Sequence, residues 1–136
     1  DLKKVLRAEA IVYGRLPLMI TENCLVQNET GCRLDRQGPC VPEDGPCRCG
    51  QPNVLVDRTG AAFPLLPAYG HRTEIQNSKP LYLADRPEHR RLGLAYARLR
   101  FTTETAEECV SVVQNYLDAA PAAGDFTRGL YERGVE

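Results

Sequence analysis

The sequence predicts a mixed α/β (or α+β) fold that contains one β-hairpin and one long loop. Three observations predict it: alternating apolar and polar residues near the start, a cysteine-, glycine- and proline-rich stretch at 21–52, and a strand–helix–strand–helix order after residue 80. The chain has 136 residues, of which 43% are hydrophobic and 26% charged. These values are typical of a globular protein, so we expect a single domain over 1–136.

The first strand signal covers residues 5–20. Apolar and polar residues alternate up to Gly14, which interrupts the pattern, and 16–20 resumes it as a second extended piece. Pro17 has no N–H to donate to a sheet. We therefore expect the second piece at a sheet edge or in an irregular approach to a site.

A β-hairpin is predicted next. Two apolar runs, Val54–Val56 and Ala61–Leu66, flank a short turn. Asp57 opens that turn, and Gly60 closes it where a positive φ is easy for glycine.

The last third of the chain predicts two helices around one strand. Asp85 is placed to cap a short helix that runs through His89 to Leu92 and stops at Gly93. Residues 94–101 then alternate as a strand.

The second of these helices has a complete start signal. Thr105 and Glu108 form a capping-box pattern, and Pro121 and Gly124 follow the helix. Its apolar residues recur at helical spacing, which predicts one buried face, with Cys109 packed in the core. The predicted face consists of Cys109, Val110, Val113, Tyr116 and Leu117.

Residues 21–52 show no helix or strand period, which predicts a cysteine-rich loop. A loop of about 30 residues is rare in a compact domain unless something organises it, and a metal would do so. Thiolates suit zinc and iron–sulfur clusters, and either takes four ligands, so we expect four of five cysteines to bind zinc or a 4Fe–4S cluster. These five are Cys24, Cys32, Cys40, Cys47 and Cys49.

Other interpretations of this segment stay open. In a secreted protein the cysteines would form a disulfide framework, and a disordered loop is the simplest alternative. We favour a reducing, cytoplasmic compartment. The two histidines, His71 and His89, are expected to be surface or packing residues, because an unplaced histidine is more often one of these than a ligand.

Bulk properties exclude some classes of partner. The net charge of −1 does not predict binding to nucleic acid or to an acidic membrane surface. No apolar run approaches the roughly 20 residues of a membrane helix, and nothing at the start reads as a signal peptide. The chain begins at Asp1 and its one methionine is Met19, so we expect a piece of a longer protein.

Several segments carry a family resemblance. The stretch Tyr13–Cys24 reads YGRLPLMITENC and is followed by Thr30–Cys32. Further matching segments are Val56–Gly60, Phe63–Pro64, Asn77–Asp85, Arg98–Thr102 and Phe126–Gly129. In combination they closely resemble the peptidase U32 family, whose members are often labelled collagenase-like proteases. The resemblance spans nearly the whole chain. It implies that the chain corresponds to the later part of the family's barrel-forming region. The chain would then be a fragment of a βα-type barrel from the C-terminal side of a longer protein.

The resemblance implies two kinds of activity. Some members are called peptidases, and related members hold a four-cysteine iron–sulfur cluster and support hydroxylation of ubiquinone precursors, transfer RNA or ribosomal RNA. Cys24 and Cys32 match the first two cluster positions of those relatives, and Cys49 fits the third by spacing. Near Asn77–Ser78, where those relatives carry a fourth cysteine, this chain has Tyr82, so Cys40 or Cys47 would have to substitute.

Three functions follow as expectations. The first is a portion of a U32 peptidase that carries a thiolate metal or iron–sulfur site; the second is an iron–sulfur protein that supports hydroxylation of RNA or a quinone precursor. The third is a zinc-stapled structural module without activity of its own. Catalytic residues are not predicted, because Ser78 and Ser111 are the only serines and no His-Glu-x-x-His pair exists.

Arginines suggest where a substrate would bind. They are dense between Arg86 and Arg100, and such a patch can contact phosphates, although acidic residues surround it. We expect Arg15, Arg98 and Arg100 to bind a peptide or RNA substrate. The other expected partner is the rest of the parent chain, and no membrane partner is expected.

Overall fold

The computed structural model describes residues 7–30, 51–86, 91 and 93–130. In chain order the elements are β1 (Glu9–Gly14), β2 (Pro17–Thr21), α1 (Leu25–Thr30), β3 (Asn53–Val56), β4 (Ala62–Ala68), β5 (Arg72–Gln76), β6 (Leu81–Tyr82), β7 (Tyr96–Leu99) and α2 (Ala106–Leu117). The fold is therefore mixed α/β, as predicted. The strands form two sheets and the described residues form no closed barrel, so the barrel fragment stays a prediction.

The chain divides into two compact units. The first, called here the terminal unit, combines Asp1–Arg15 with Lys79–Glu136, and the second, the central unit, is Leu16–Ser78. The boundary lies just after Gly14, where the strand pattern breaks in the sequence. The expected single domain over 1–136 stays a prediction.

The terminal unit contains a three-stranded sheet in the order β6–β1–β7. Its central strand, β1, pairs antiparallel with β6 and parallel with β7. At its end, Gly14 has φ +118°, and a Cβ atom there would lie 2.0 Å from the carbonyl oxygen of Arg100. Only glycine fits this close approach of two backbones.

The core of the terminal unit is aromatic. Tyr13 and Tyr82 are buried, and their ring centroids lie 6.4 Å apart in an edge-to-face arrangement. Tyr116 packs against both rings, at centroid distances of 6.2 and 5.5 Å. Its hydroxyl donates to the carbonyl of Val12 and accepts from the N–H of Leu83, so one side chain ties α2 to β1 and to the segment after β6.

Helix α2 starts as predicted. The hydroxyl of Thr105 accepts from the N–H of Glu108 at 3.2 Å, and the carboxylate of Glu108 accepts from the N–H of Thr105 at 2.7 Å. This reciprocal pair of hydrogen bonds satisfies two backbone N–H groups at the start of the helix. The capping-box pattern in the sequence favours a helix start for this reason.

The predicted buried face of α2 is wrong. Val110 and Leu117 are 71% and 72% exposed, and none of the described residues of α2 is fully buried. The packed side instead contains Val112 and Tyr116, which contact the aromatic core, and Cys109 is half-buried. At 100° per residue, Val110 lies about 160° around the helix from Val112. We call Val110, Val113 and Leu117 the exposed stripe.

The central unit is an antiparallel sheet in the order β2–β5–β4–β3. The predicted hairpin is confirmed: β3 pairs with β4, the Asp57 carboxylate accepts from the N–H groups of Thr59 and Ala61, and Gly60 has φ +85°. The predicted position of Pro17 is confirmed too, since β2 is an edge strand.

Helix α1 lies within the segment predicted as a cysteine-rich loop at 21–52. Its six residues form a helix because tertiary contacts hold them: the N–H of Leu25 donates to the hydroxyl of Thr73 on β5, and Val26 is buried. A helix this short has little stability of its own. Its sequence therefore shows no helical spacing of apolar residues from which α1 could be predicted.

Some predictions fall on residues outside the described ranges. They are most of the short helix from Asp85 through His89 to Leu92, and the cysteines Cys32, Cys40, Cys47 and Cys49.

No helix in the described part of the chain is both long enough and apolar enough to cross a membrane.

Candidate functional site

A polar pocket of about 610 Å³ opens in the central unit, between the end of β2, the start of α1 and the turn that joins β4 to β5. Two of the side chains that line it, Cys24 and His71, carry a thiol and an imidazole. Its other lining residues are Glu22, Asn23, Gln27, Asn28 and Gly70. This pocket is where the structure places the first cysteine of the predicted metal site.

Cys24 lies in the junction between β2 and α1. The hydroxyl of Thr21 donates to the carbonyl of Asn23 at 2.6 Å, which fixes the chain just before Cys24. The bond from the N–H of Leu25 to Thr73, 3.0 Å long, fixes it just after. Cys24 itself is 8% exposed. Cys24 is therefore largely shielded from bulk solvent but still borders the pocket.

His71 reaches the same pocket from the β4–β5 turn. The strands pair up to Ala68 and Arg72, and the three residues between them make the turn. Gly70 and His71 have φ values of +73° and +57°. A positive φ is uncommon outside glycine, although histidine adopts it more readily than most residues. The turn thus holds His71 half-buried at the rim of the pocket.

The acidic residue at the pocket is paired. A carboxylate oxygen of Glu22 lies 3.0 Å from the guanidinium of Arg72, and both side chains are exposed. Exposed pairs of this kind contribute about 0–1 kcal/mol to stability. The pair holds the Glu22 carboxylate at Arg72, at the start of β5. The thiol of Cys24 and the imidazole of His71 are the sulfur and nitrogen donors among the lining side chains.

The described cysteines carry free thiols. Cys24 and Cys109 are both unpaired with another cysteine, and they belong to different units. Within the described ranges, no group of three or more histidine, cysteine, aspartate or glutamate side chains is placed to hold a metal ion. Cys24 is thus one candidate ligand, and the prediction that Cys32, Cys40, Cys47 or Cys49 supplies others concerns residues outside those ranges.

The three arginines predicted to bind substrate have different surroundings. Arg15 and Arg100 come together, because the guanidinium of Arg100 donates to the carbonyl of Arg15 at 2.6 Å. The guanidinium of Arg15 in turn donates to the hydroxyl of Thr103. Arg98 pairs with Glu9 at 2.8 Å on the neighbouring strand. The ion pair with Glu9 balances the charge of Arg98 locally, and the binding of a substrate by these three arginines stays a prediction.

Tyr82 has a packing role. Its ring lies in the aromatic core, and its hydroxyl donates to the carbonyl of Ala120 at 2.9 Å. Burial raises its pKa, so the hydroxyl stays protonated.

A second polar group in the terminal unit surrounds Glu104. Its carboxylate accepts from the N–H groups of Thr102 and Thr103 at 2.7 and 3.0 Å, and from the hydroxyl of Tyr13 at 3.2 Å. Burial alone would raise the pKa of Glu104, but these donors outweigh it and lower the pKa. Burial, together with this carboxylate, raises the pKa of Tyr13 well above its ordinary value.

Comparison with known proteins adds no relative. Family models, curated proteins and solved structures were all searched, and none matched this chain. The likeness to the peptidase U32 family therefore rests on the sequence segments alone, and the pocket is interpreted from its own chemistry.

His71 lies at a position that the sequence did not predict. It was expected to be a surface or packing residue, and the structure places it beside the pocket that Cys24 lines. Gly70 was the available signal, because a glycine between two runs of strand-forming residues indicates a turn. What the sequence could not provide was the pairing of β5 with β2, which brings the turn next to Cys24.

Proposed function

We propose that this chain is a portion of a U32-type, collagenase-like peptidase that holds a zinc ion or a 4Fe–4S cluster through cysteine thiolates, with Cys24 as one ligand. The observation that carries the proposal is the placement of Cys24. Its free thiol borders a polar pocket and is held from both sides by hydrogen bonds to ordered backbone and to β5. Ligands held in this way need no rearrangement when metal binds.

The chemistry of the donors fits such a group. Thiolate sulfur binds zinc and iron strongly, and the polar lining of the pocket leaves room for further ligands. A bound structural metal would also supply folding free energy. In this role Cys24 would hold one end of the cysteine-rich segment on the sheet of the central unit.

The terminal unit supports the finer proposal of a βα-barrel fragment. β1 and β7 are parallel neighbours, and α2 follows β7 directly, which is the order of a repeating βα unit. Parallel strands are nearly always covered on both faces. The exposed stripe of α2 and the edge position of β7 are where a further βα unit of the parent chain would pack.

The substrate and the compartment follow from the same proposal. A peptide carboxylate or an RNA phosphate would bind near Arg15 and Arg100, whose backbone and side chains are joined by a hydrogen bond. A cytoplasmic location agrees with free thiols at Cys24 and Cys109, since cytoplasmic proteins rarely keep disulfides.

The test is metal analysis of the 136-residue chain purified without oxygen. The expected result is about one zinc ion or one iron–sulfur cluster per chain, with thiolate-to-iron absorption in the second case. Cys24→Ser should lose most of this metal, and Cys109→Ser, the matched control in the other unit, should keep it. Equal metal content in wild type and Cys24→Ser would exclude Cys24 as a ligand, and metal-free wild type would contradict the proposed function.

Metal identity separates the three expected functions. An iron–sulfur cluster would favour the role in hydroxylation, and the readout is the absorption spectrum with the iron and sulfide content. Stoichiometric zinc in colourless protein would favour a structural centre or a peptidase. Cleavage of a denatured-collagen substrate by the parent protein, measured for wild type and Cys24→Ser, would then distinguish these two.

A further inference from the structure

The sheet of the central unit ends in two edge strands, β2 and β3, which differ in how they are protected. Natural edge strands are commonly blocked against further pairing by proline, by a bulge or by charge. β2 contains Pro17, and its register with β5 shifts between Pro17 and Met19. β3 reads NVLV, without proline or charge, and its register with β4 is regular. Of these two edges, β3 is therefore the one that suits a further strand.

The backbone of β3 presents hydrogen-bonding groups on its outer side. The N–H of Asp57 donates to the carbonyl of Ala61 at 3.0 Å, so these two residues form a hydrogen-bonded pair. Hydrogen-bonded and non-hydrogen-bonded pairs alternate along an antiparallel ladder. Counting back along the register, Leu55 bonds toward β4, and Val54 and Val56 point their N–H and C=O groups away from it.

The position of Pro64 agrees with this alternation. Pro64 lies opposite Val54, and a proline can stand there because a non-hydrogen-bonded pair needs no N–H from it. Val54 and Val56 thus each offer one donor and one acceptor on the outer side of β3. Among the strands that the structure describes, none lies beyond β3.

The side chains of β3 are apolar on both faces of the sheet. Val54 and Val56 lie on one face and are 57% and 59% exposed, and Leu55 lies on the other face and is 45% exposed. A strand added at this edge would therefore bury apolar surface on both faces, in addition to forming backbone hydrogen bonds.

We propose that β3 pairs with β3 of a second copy of this chain, antiparallel and about a two-fold axis at Leu55. Val54 then lies opposite Val56 of the second copy, and the two residues exchange two hydrogen bonds. The symmetry repeats this pair, which makes four hydrogen bonds in all. Leu55 faces Leu55 of the second copy in a non-hydrogen-bonded pair, where opposite side chains lie closest.

Two features favour a second copy as the occupant. An isologous contact uses the same strand on both chains, so a sheet with one open edge closes as a dimer and does not grow further. The flanking residues are also compatible, because in this register Asp57 faces Asn53 and Arg58 faces Pro52, so no like charges are opposed. This dimer goes beyond the proposed metal centre and does not depend on it.

The experiment is analytical ultracentrifugation of the full chain, with a reductant present so that cysteines cannot cross-link the copies. A contact between four-residue strands is small, and small interfaces are typical of weak complexes. We expect a dissociation constant of about 10–100 µM, so the mass should rise from 15.1 kDa toward twice that value as the concentration passes through this range. A chain that stays monomeric up to about ten times this range would overturn the proposal.

Variants at Leu55 test the register. Leu55→Lys and Leu55→Glu each place like charges opposite one another and should weaken association by about 10-fold or more. A mixture of the two should restore the dimer, because opposite charges then face each other. Met19→Lys adds the same charge on the same sheet face at the other edge and should associate as wild type does. Wild-type association of Leu55→Lys, or a mixture that associates no better than either variant alone, would show that this pairing is wrong.

Hydrogen exchange of the unmutated chain tests the same contact even if the Leu55 variants fail to fold. The backbone N–H groups of Val54 and Val56 should exchange more slowly at a concentration where the dimer forms than in dilute solution. The N–H of Leu55, which bonds toward β4, should already be protected in dilute solution. Exchange at Val54 and Val56 that does not depend on concentration would exclude β3 as the dimer contact.

Discussion

The two compact units use their buried polar groups in different ways. In the terminal unit, the side chains of Tyr82 and Tyr116 pack in an aromatic core, and their hydroxyls donate to backbone carbonyls. In the central unit, the buried Thr73 fixes the chain around Cys24, and a thiol and an imidazole line an open pocket. In one unit polar atoms complete the core, and in the other they fix the chain beside an open pocket.

This difference indicates where mutations will act. Changes inside the terminal unit should lower stability, because its polar and aromatic groups have intramolecular partners. Changes of exposed residues at the pocket of the central unit, such as Asn28, should cost less stability, because substitutions at the surface usually change it little. The predictions below test the first half of this comparison, from the largest expected effect to the smallest.

The largest effect is expected for Gly14→Ala. The new Cβ would meet the Arg100 carbonyl oxygen at 2.0 Å, and the backbone φ of +118° is strained for alanine. We expect the free energy of unfolding to fall by more than about 3 kcal/mol, measured by urea denaturation.

Gly124→Ala is the matched control in the same unit. Its φ of +80° is also positive, but a Cβ there has no neighbour within 4 Å. The expected cost is about 1–2 kcal/mol from the left-handed backbone alone. Equal costs for the two variants would show that the approach of Arg100 to Gly14 does not constrain the fold.

A smaller effect is expected for Asp85→Asn. Both carboxylate oxygens of Asp85 accept from the guanidinium of Arg128, at 2.6 and 2.8 Å, and this pair is mostly shielded from solvent. We expect a loss of about 1.5–3 kcal/mol near neutral pH, measured by urea denaturation. Asp125→Asn, which removes the exposed ion pair with Lys79, should cost less than about 1 kcal/mol.

The effect of Asp85 should also depend on pH. The hydrogen bonds from Arg128 hold the pKa of Asp85 below its ordinary value of 3.8. A carboxyl group whose pKa is lowered on folding stabilises the folded state above the ordinary pKa, and this contribution is lost as the pH falls through the folded pKa. The difference in stability between wild type and Asp85→Asn should therefore shrink below pH 3.8. A difference that stays constant down to strong acid would contradict the role of this ion pair.

The smallest effect compares two valines on α2. Val112 packs on the aromatic core, and Val110 belongs to the exposed stripe. Val112→Ala should cost about 1 kcal/mol, and Val110→Ala less than about 0.5 kcal/mol. In the parent protein, where a further βα unit is proposed to cover the stripe, Val110→Ala should cost as much as Val112→Ala. Thermal unfolding of both chains would check this.

Local signals predicted part of this fold well. The capping box at Thr105 and the Asp57–Gly60 turn were readable because each acts within a few residues, through side chain to backbone hydrogen bonds. The edge position of Pro17 was readable for the same reason, since it follows from a missing N–H. Such features depend little on the rest of the molecule.

The packed side of α2 was not readable, because its apolar residues span a wide arc of about 160° around the helix. Cys109, Val110, Val112, Val113, Tyr116 and Leu117 cover two adjacent sides. Spacing alone ranks them equally, and only the position of the aromatic core selects the side with Val112 and Tyr116. Helix α1 and the position of His71 beside Cys24 were not predicted for a similar reason, because both depend on contacts with β5.

The pairing of Thr21 with Thr73 has a consequence for synthesis of the chain. The two threonines are 52 positions apart, and the cysteine-rich segment lies between them. As the polypeptide leaves the ribosome, Cys24 and the four cysteines after it emerge before β5 exists. Closing so long a loop is slow compared with a local hairpin. During that interval neither the pairing of β2 with β5 nor the Thr73 hydroxyl can fix the chain around Cys24. The surroundings of Cys24 are therefore completed only after β5 has been synthesised.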